Sequence, residues 1–356
     1  MSSCDQPGLM PVEAALARLL AQAEASAIVE IEQVALAQAD GRVLAEALIA
    51  KLDLPPWANS AMDGYALRLA DWTGEPLVVT QRIQAGSAPA PLQPGTCARI
   101  FTGAPLPAGA DTVEMQENAV LGEDGRVTFS EPLKLGQNVR AQGQETRIGD
   151  CVLPAGTRLG PIELGLAASL GCAELTVRRR PRVAVLSTGD ELVEPGLPLG
   201  PGQIYNSNRR LLIAWLQRLG CEVVDGGILL DDLELTRAAL GALSDVDLIL
   251  STGGVSVGEA DFLGMALREE GELALWKLAI KPGKPLTCGQ FRGVPVIGLP
   301  GNPASTLVTF GLLARPYLLR RLGVQRVEPL GFPMPAGFAW RKAGKRREYL
   351  RARLEN

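Results

Sequence analysis

The sequence predicts a multidomain protein of α+β and α/β class. A helical/linker region carries an inserted β-rich domain; a three-layer α/β domain with a mostly parallel sheet follows, then a shortened C-terminal β remnant. Three observations predict this. The chain has 356 residues, enough for two or three domains rather than one. Between about residues 52 and 146, Gly and Pro punctuate short alternating runs, the texture of strands and turns without a long helix. From Arg182 onward, apolar strands alternate regularly with amphipathic helices, the pattern of a sheet covered on both faces.

The elements follow in order. Residues 10–25 (MPVEAALARLLAQAEA) place apolar positions at helical spacing among good helix formers, and a second short helix is expected near 35–41. In the β-rich stretch the punctuation is Pro55-Pro56, Gly74, Gly86, Pro94-Gly95 and Gly103. Residues 153–171 return to helix after Pro161, with Gly171 as its C-cap. Strands are expected at 183–187, 222–230, 247–251, 273–280 and 294–298. Helices are expected near 206–219, 234–244, 260–270 and 303–320. The last stretch, 327–356, holds seven Lys/Arg and three Glu, which predicts a short strand pair or a ragged, solvated tail. The resulting domains are 1–52 with 147–180 (helical/linker), 53–146 (inserted β-rich), 181–326 (α/β) and 327–356 (truncated C-terminal β).

The chain contains no histidine. This excludes a Ser-His-Asp or Cys-His nucleophile, an imidazole base and a His-ligated metal. Any metal must be held by oxygen or thiolate, and any proton must move through carboxylate, lysine, substrate or water. With 35 Lys+Arg against 39 Asp+Glu the net charge is -4, which gives no drive toward nucleic acid or an anionic membrane. The six cysteines (Cys4, Cys97, Cys151, Cys172, Cys221, Cys288) form no CxxC pair and read as reduced thiols of a cytoplasmic protein. The apolar stretch 303–319 is interrupted by Arg315 and Pro316, and nothing in the sequence spans a membrane. The 40 Gly and 26 Pro, in a chain that is 47% hydrophobic, point to glycine-lined loops rather than disorder.

In a doubly covered sheet, ligands sit outside the carboxyl ends of the strands. Here VAVLS runs into Thr188-Gly189-Asp190-Glu191, GGILL into Asp231-Asp232, and DLILS into a loop with Gly253, Gly254, Gly258, Glu259 and Asp261. VPVIG runs into LPGNPAS, where Asn302 is placed to cap a helix with Pro303 in its first turn. Without histidine, carboxylates gathered on one edge read as a hard-cation site, Mg2+ before Zn2+. The glycines allow either close backbone approach to an anion or tight packing of strand and helix. Lys277 and Lys281, four apart on the expected strand 273–280, fall on one face, with Lys284 in the following turn. They are either solvated lysines or anion ligands beside the carboxylates. In the β-rich stretch, Asp63-Gly64 within ANSAMDGYAL, and Asn138, Arg140 and Glu145 within GQNVRAQGQE, are the polar loops of interest.

Together these segments resemble the molybdopterin molybdenumtransferase family, whose eukaryotic relative is the C-terminal domain of gephyrin. The matching strings are NSAMDGYA, TGAPLPAGAD, GQNVRAQG, LPAGTRLG, VLSTGDEL, GQIYNSN, STGGVSVGEAD, WKLAIKPGKP and GLPGNPAS, in order from about residue 8 to 325. The resemblance implies an enzyme that takes adenylylated molybdopterin and molybdate, hydrolyses the adenylate with Mg2+, releases AMP and leaves molybdenum on the dithiolene. It implies catalytic roles for Asp63, Glu191, Asp231, Asp261, Lys277 and Lys281, with Glu191, Asp231 and Asp261 as the metal set. It implies substrate contacts from Thr102, Glu145, Ser251, Gly253, Gly254, Ser256, Gly258, Lys284, Pro300, Asn302 and Pro303. It also implies an elongated homodimer in which Asp63 reaches the cleft across the interface. Contact with the molybdopterin adenylyltransferase and with acceptor molybdoenzymes is implied as well.

The departures from the family pattern are Ala58, Glu145, Asn206 and Glu114, where relatives commonly carry an acid, Asp, Asp and an apolar residue. The chain also stops soon after REYLRARLEN, where relatives continue through a small β domain. That shortening motivates the alternative of a non-catalytic molybdopterin-binding or scaffold paralogue. A third reading, adenylyltransferase activity, is opposed by the long N-terminal β-rich stretch.

Overall fold

The computed structural model describes residues 8–254, 262–340 and 344–354. The chain divides into two compact units, one of residues 47–154 and 165–173 and the other of the remaining residues.

The smaller unit is built on six strands: β1 (Gly64–Leu67), β2 (Leu77–Ile83), β3 (Thr96–Ile100), β4 (Thr112–Met115), β5 (Ala119–Leu121) and β6 (Arg126–Phe129). They form one sheet in the order β4-β1-β3-β2-β6-β5, antiparallel except for the β2–β3 pair. Alternation along the strands buries one set of residues on each face. Ala66, Ala98, Ile100 and Val113 join Ile83 and Leu92 in one cluster, while Leu67, Cys97, Leu77 and Val127 form another. Gly64 is demanded by the pairing of β1 with β4, because a Cβ there would lie 1.8 Å from the Glu114 carbonyl oxygen. Residues 47–154 contain strands and single 3-10 turns and no α-helix.

The larger unit contains a second six-stranded sheet: β7 (Arg182–Thr188), β8 (Glu222–Leu229), β9 (Leu248–Thr252), β10 (Gly271–Lys277), β11 (Pro285–Phe291) and β12 (Val294–Leu299). The order is β8-β7-β9-β12-β11-β10. β7, β8, β9 and β12 are parallel neighbours, and β11 runs antiparallel to both β12 and β10. Both faces are covered. Val183, Val185, Leu248 and Leu250 pack against α1 (Val12–Ala25), α3 (Ser207–Arg218) and the segment 303–321. Ala184, Leu186 and Ile249 pack against α4 (Leu233–Gly241) and α5 (Phe262–Glu270). Another helix, α2 (Pro161–Ser169), starts at Pro161 as expected, and Gly171 follows it with φ 76°. Among the described residues no helix is long and apolar enough to cross a membrane.

Three expectations are corrected and one is refined. The strand foreseen at 273–280 ends at Lys277. Leu278 N–H still bonds the Lys284 carbonyl (2.6 Å) in the same register, and the backbone then leaves the ladder, as Ala279 N–H bonds the Met10 carbonyl (2.8 Å). Ile280–Lys281 then pairs in parallel with Arg347–Glu348, so Lys277 and Lys281 do not share a strand face. The helix foreseen at 303–320 is present without a break over 303–321, as α6 (Pro303–Thr309), a π-helical stretch (Phe310–Ala314) and α7 (Arg315–Arg321). Pro316 has no N–H to give to the preceding turn, and the widened stretch lies just ahead of it. The expected short helix near 35–41 is a 3-10 turn at Leu36–Gln38. The stretch 327–356 is partly docked rather than a free tail. Arg347 N–H bonds the Ala279 carbonyl (2.9 Å), and Tyr349 N–H bonds the Lys281 carbonyl (2.8 Å). Phe338, Trp340 and Tyr349 line a cavity of about 900 Å3 beside Pro282, Pro303 and Leu307.

Phe310 is fully buried, with its ring centroid 5.1 Å from that of Trp215. Phe310→Ala is expected to destabilise the larger unit by roughly 3–5 kcal/mol, read as a lowered urea midpoint followed by tryptophan fluorescence.

Candidate active site

In the smaller unit, three polar loops distant in sequence are laced together. Asn59–Ser60 pairs antiparallel with Val139–Arg140. Ser60 N–H bonds the Ala104 carbonyl (3.0 Å), Gly103 N–H the Ser60 carbonyl (2.8 Å), and Ala61 N–H the Asn138 carbonyl (2.8 Å). This brings Asp63 and Thr102 into contact. Asp63 Oδ1 accepts from Thr102 N–H at 2.8 Å and from Thr102 Oγ1 at 2.7 Å. These bonds, backbone first, hold the Asp63 carboxyl below the usual carboxylate range, aided by the nearby Arg99 charge. Glu145 is exposed, and its backbone N–H bonds the Leu54 carbonyl at 2.9 Å.

Glu114, one of the four departures from the family pattern, is fully buried. It is satisfied rather than isolated: Asn118 Nδ2 donates at 2.7 Å, Gln137 Nε2 at 2.6 Å and Met115 N–H at 3.0 Å. Three donors offset the loss of water that a buried carboxylate suffers.

In the larger unit, the chemistry-bearing residues collect at one edge of the sheet. The ends of β7, β9 and β12 lead into Thr188–Glu191, Gly253-Gly254 and Pro300–Pro303. β10 points the same way as these strands, since it is antiparallel to β11, which is antiparallel to β12. Lys277 lies opposite Pro285 in that ladder, so both Lys277 and Lys284 reach this edge. Lys277, Lys281 and Lys284 are exposed. Lys281 is 3.4 Å from Glu348 Oε1, so it is ion-paired within the chain.

The acidic residues at this edge crowd one another. Asp231 N–H bonds Asp190 Oδ1 at 3.1 Å. Burial, and after it the charges of Asp190 and Glu191, raise the Asp231 carboxyl above its ordinary value. Asp232 is committed elsewhere, capping α4 through Leu235 N–H at 2.8 Å. Asp190, which the sequence reading left out of the site, is thus a member of the cluster. Its signal was present, because it occupies the carboxyl end of a core strand. Ser256, Gly258 and Asp261 lie outside the described residues; of the expected metal set, Glu191 and Asp231 are at this edge. Among the described residues, no group of three or more Asp, Glu or Cys is arranged to hold a metal.

The glycines at this edge serve close packing. Gly253 and Gly254 have φ of 86° and 61°. A Cβ on Gly253 would sit 2.7 Å from the Thr188 carbonyl oxygen, and Gly301 would meet the Gly253 Cα at 3.7 Å. Side chains tie the same loops. Asn208 Nδ2 donates to the Gly301 carbonyl (2.6 Å), and Ser187 Oγ donates to Asn206 Oδ1 (3.1 Å) and lies 3.0 Å from Thr252 Oγ1. Asn206 also accepts from Arg209 N–H at 3.4 Å to cap α3, so the departure from Asp retains an acceptor there. Asn302 caps α6 through Ala304 N–H (3.1 Å) and Ser305 N–H (3.3 Å), and Pro300 O accepts from Thr306 Oγ1 (2.6 Å). Ser251 is fully buried on β9. A cavity of about 110 Å3 between these loops is lined by Thr188, Glu191, Asn206, Asn208, Gly253 and Pro303.

The described cysteines are unpaired, and burial pushes the thiols of Cys97, Cys221 and Cys288 up to about 12.

Residues 10–171 match the family described as MoeA N-terminal region (domain I and II), and residues 184–320 match the probable molybdopterin binding domain. The molybdopterin molybdenumtransferase of Haemophilus influenzae is 44% identical over 326 residues, covering 90% of this chain and 81% of that protein. Its counterpart from Nostoc sp. is 40% identical over 335 residues, covering 90% and 76%. The solved molybdopterin biosynthesis moeA protein of Pyrococcus horikoshii OT3 aligns with a TM-score of 0.74 at 30% identity, over 90% of this chain and 81% of that one. The fold is therefore MoeA-like, of mixed α/β content with strand-rich sheets. The chain belongs to the molybdopterin molybdenumtransferase family, as the nine sequence strings imply.

Two titrations check the electrostatics by carbon-13 NMR of the carboxyl groups. Thr102→Val removes one donor, so the Asp63 pKa is expected to move up toward the ordinary range. Asp190→Asn removes a repelling charge, so the Asp231 pKa is expected to fall. Their signs in stability are opposite. Asp63, depressed, contributes stability above its unfolded pKa and loses it as pH falls through its folded pKa. Asp231, raised, costs stability as pH rises through its unfolded pKa, and the cost is complete above its folded pKa.

Proposed function

We propose that this chain is a Mg2+-dependent molybdopterin molybdenumtransferase, which takes molybdenum from molybdate into adenylylated molybdopterin and releases AMP. The observation that carries the reading is the shared sheet edge of the larger unit. Cations (Lys277, Lys284), crowded carboxylates (Asp190, Glu191, Asp231) and tightly packed glycine loops are spread along that one edge without any imidazole. Such an edge suits cleavage of a phosphoanhydride, which depends on positioned charge more than on a base poised near neutral pH. In this reading Lys277 and Lys284 hold phosphate or molybdate oxygens, and the glycine loops and Pro300–Pro303 shape the adjoining wall. Lys281 contributes less directly, since Glu348 already engages it.

The carboxylates at this edge fit a hard cation in kind: they are oxygen donors whose mutual repulsion raises Asp231, and a cation would relieve it. Glu191 and Asp231, with Asp261, are proposed to hold Mg2+, which would supply charge neutralisation at the phosphates. Asp63, held by Thr102, is proposed to take part in the same reaction, with Glu145 contacting substrate. A homodimer and a cytoplasmic setting belong to the same proposal, as do encounters with the adenylyltransferase and the acceptor molybdoenzymes.

Purified protein is expected to release AMP from adenylylated molybdopterin when molybdate and Mg2+ are both supplied; unchanged substrate under those conditions overturns the enzyme reading. Lys277→Ala is expected to slow AMP release on the order of 100-fold, and a wild-type rate would remove Lys277 from the site.

A further inference from the structure

The turn that presents Asp63 is held by a residue outside the nine family strings, Arg99 on β3. Arg99 Nη1 donates to the Gly64 carbonyl at 2.8 Å, and Nη2 donates to Gln116 Oε1. Gln116 in turn donates its backbone N–H to the Asp63 carbonyl at 3.0 Å. One guanidinium therefore grips the chain on both sides of the Asp63–Gly64 peptide, directly at Gly64 and through Gln116 at Asp63. The same guanidinium lies 5.2 Å from the Tyr65 ring centroid and 4.7 Å from that of Phe101. Tyr65 follows the Asp63–Gly64 turn, and Phe101 precedes Thr102, whose N–H and hydroxyl hold the Asp63 carboxylate. Arg99 thus contacts the segment that carries the carboxylate and the segment that carries its donors.

We propose that Arg99 is a positioning residue for the Asp63 carboxylate: it fixes the Asp63–Gly64 turn against the Phe101–Thr102 segment, so the carboxylate has one orientation in the reaction. This rests on the reading that Asp63 takes part in AMP release. The fixed fork and flat face of a guanidinium suit this task, because it bonds in its plane while stacking above and below it. A lysine keeps the charge and loses both features.

The test is steady-state AMP release by the full chain with adenylylated molybdopterin, molybdate and Mg2+, in a double-mutant cycle. Arg99→Gln is expected to lower kcat about 10- to 100-fold with little change in KM, and Arg99→Lys to remain low. In an Asp63→Asn background, adding Arg99→Gln should cost nothing further, because the group it positions is gone. The same loss in both backgrounds would mark a general structural role and overturn the proposal, as would a wild-type kcat for Arg99→Gln or Arg99→Lys. A wild-type rate for Asp63→Asn alone would instead sink the role of Asp63 on which the proposal stands. If Arg99→Gln fails to fold, Gln116→Ala cuts one arm of the clamp. Its smaller kcat loss should likewise vanish in the Asp63→Asn background, and persistence there overturns the proposal.

Discussion

Burial of both faces of the sheet in the larger unit is the constraint on which the rest depends. Val183 and Val185 are closed over by one helical layer, and Ala184 and Leu186 by the other, so neither face has room for polar chemistry. What remains is the edge where strands end and loops begin. The carboxylates after β7 and β8, the glycines after β9 and the lysines beside β10 and β11 all lie there. β10 and β11 obey the same rule although they run antiparallel to each other. One ends at this edge and the other begins at it, so both present a lysine.

Much of this was legible in the sequence, and the failures have physical causes. The apolar runs of β7, β9 and β12 were visible because strands buried on both faces need consecutive Val, Ile and Leu. β11 was missed because PLTCGQF opens on Pro and carries Thr, Gly and Gln, with no apolar run to mark it. Missing β11 had a further cost. Lys277 and Lys281 look like one strand by spacing, and only the departure of Ala279 to another partner separates them. Local pattern carries no record of where a backbone N–H will find its acceptor. The contact between Asp63 and Thr102 was out of reach for the same reason, since the two lie 39 positions apart. The motif strings named both residues without joining them.

The electrostatics of the two units run in opposite directions. Asp63 is stabilised as a carboxylate by two donors from one residue, whereas Asp231 is burdened by burial and by its acidic neighbours. Without imidazole, a protein has carboxylates and lysines with which to place charge near neutral pH. Here environment differentiates chemically identical carboxyl groups, one made more acidic and one less. Glu114 is a third case, a buried carboxylate whose bonds go to amides and one backbone N–H, and it ties Gln137 to the β4 strand.

The discontinuity of the larger unit bears on how the chain acquires its shape. Val12, Ala15, Leu19 and Ala23 on α1 belong to the same cluster as Leu313, Tyr317 and Leu318, some three hundred positions later. Ile28 N–H bonds the Arg321 carbonyl at 2.8 Å, and Glu13 pairs with Arg347. During synthesis α1 therefore waits for a segment some three hundred positions later before its apolar stripe has that partner. The stretch from 47 to 154 has no such debt, because its sheet pairs strands close in sequence. The smaller unit is free to close during synthesis while α1 remains uncovered, and the waiting helix then exposes an apolar stripe open to aggregation.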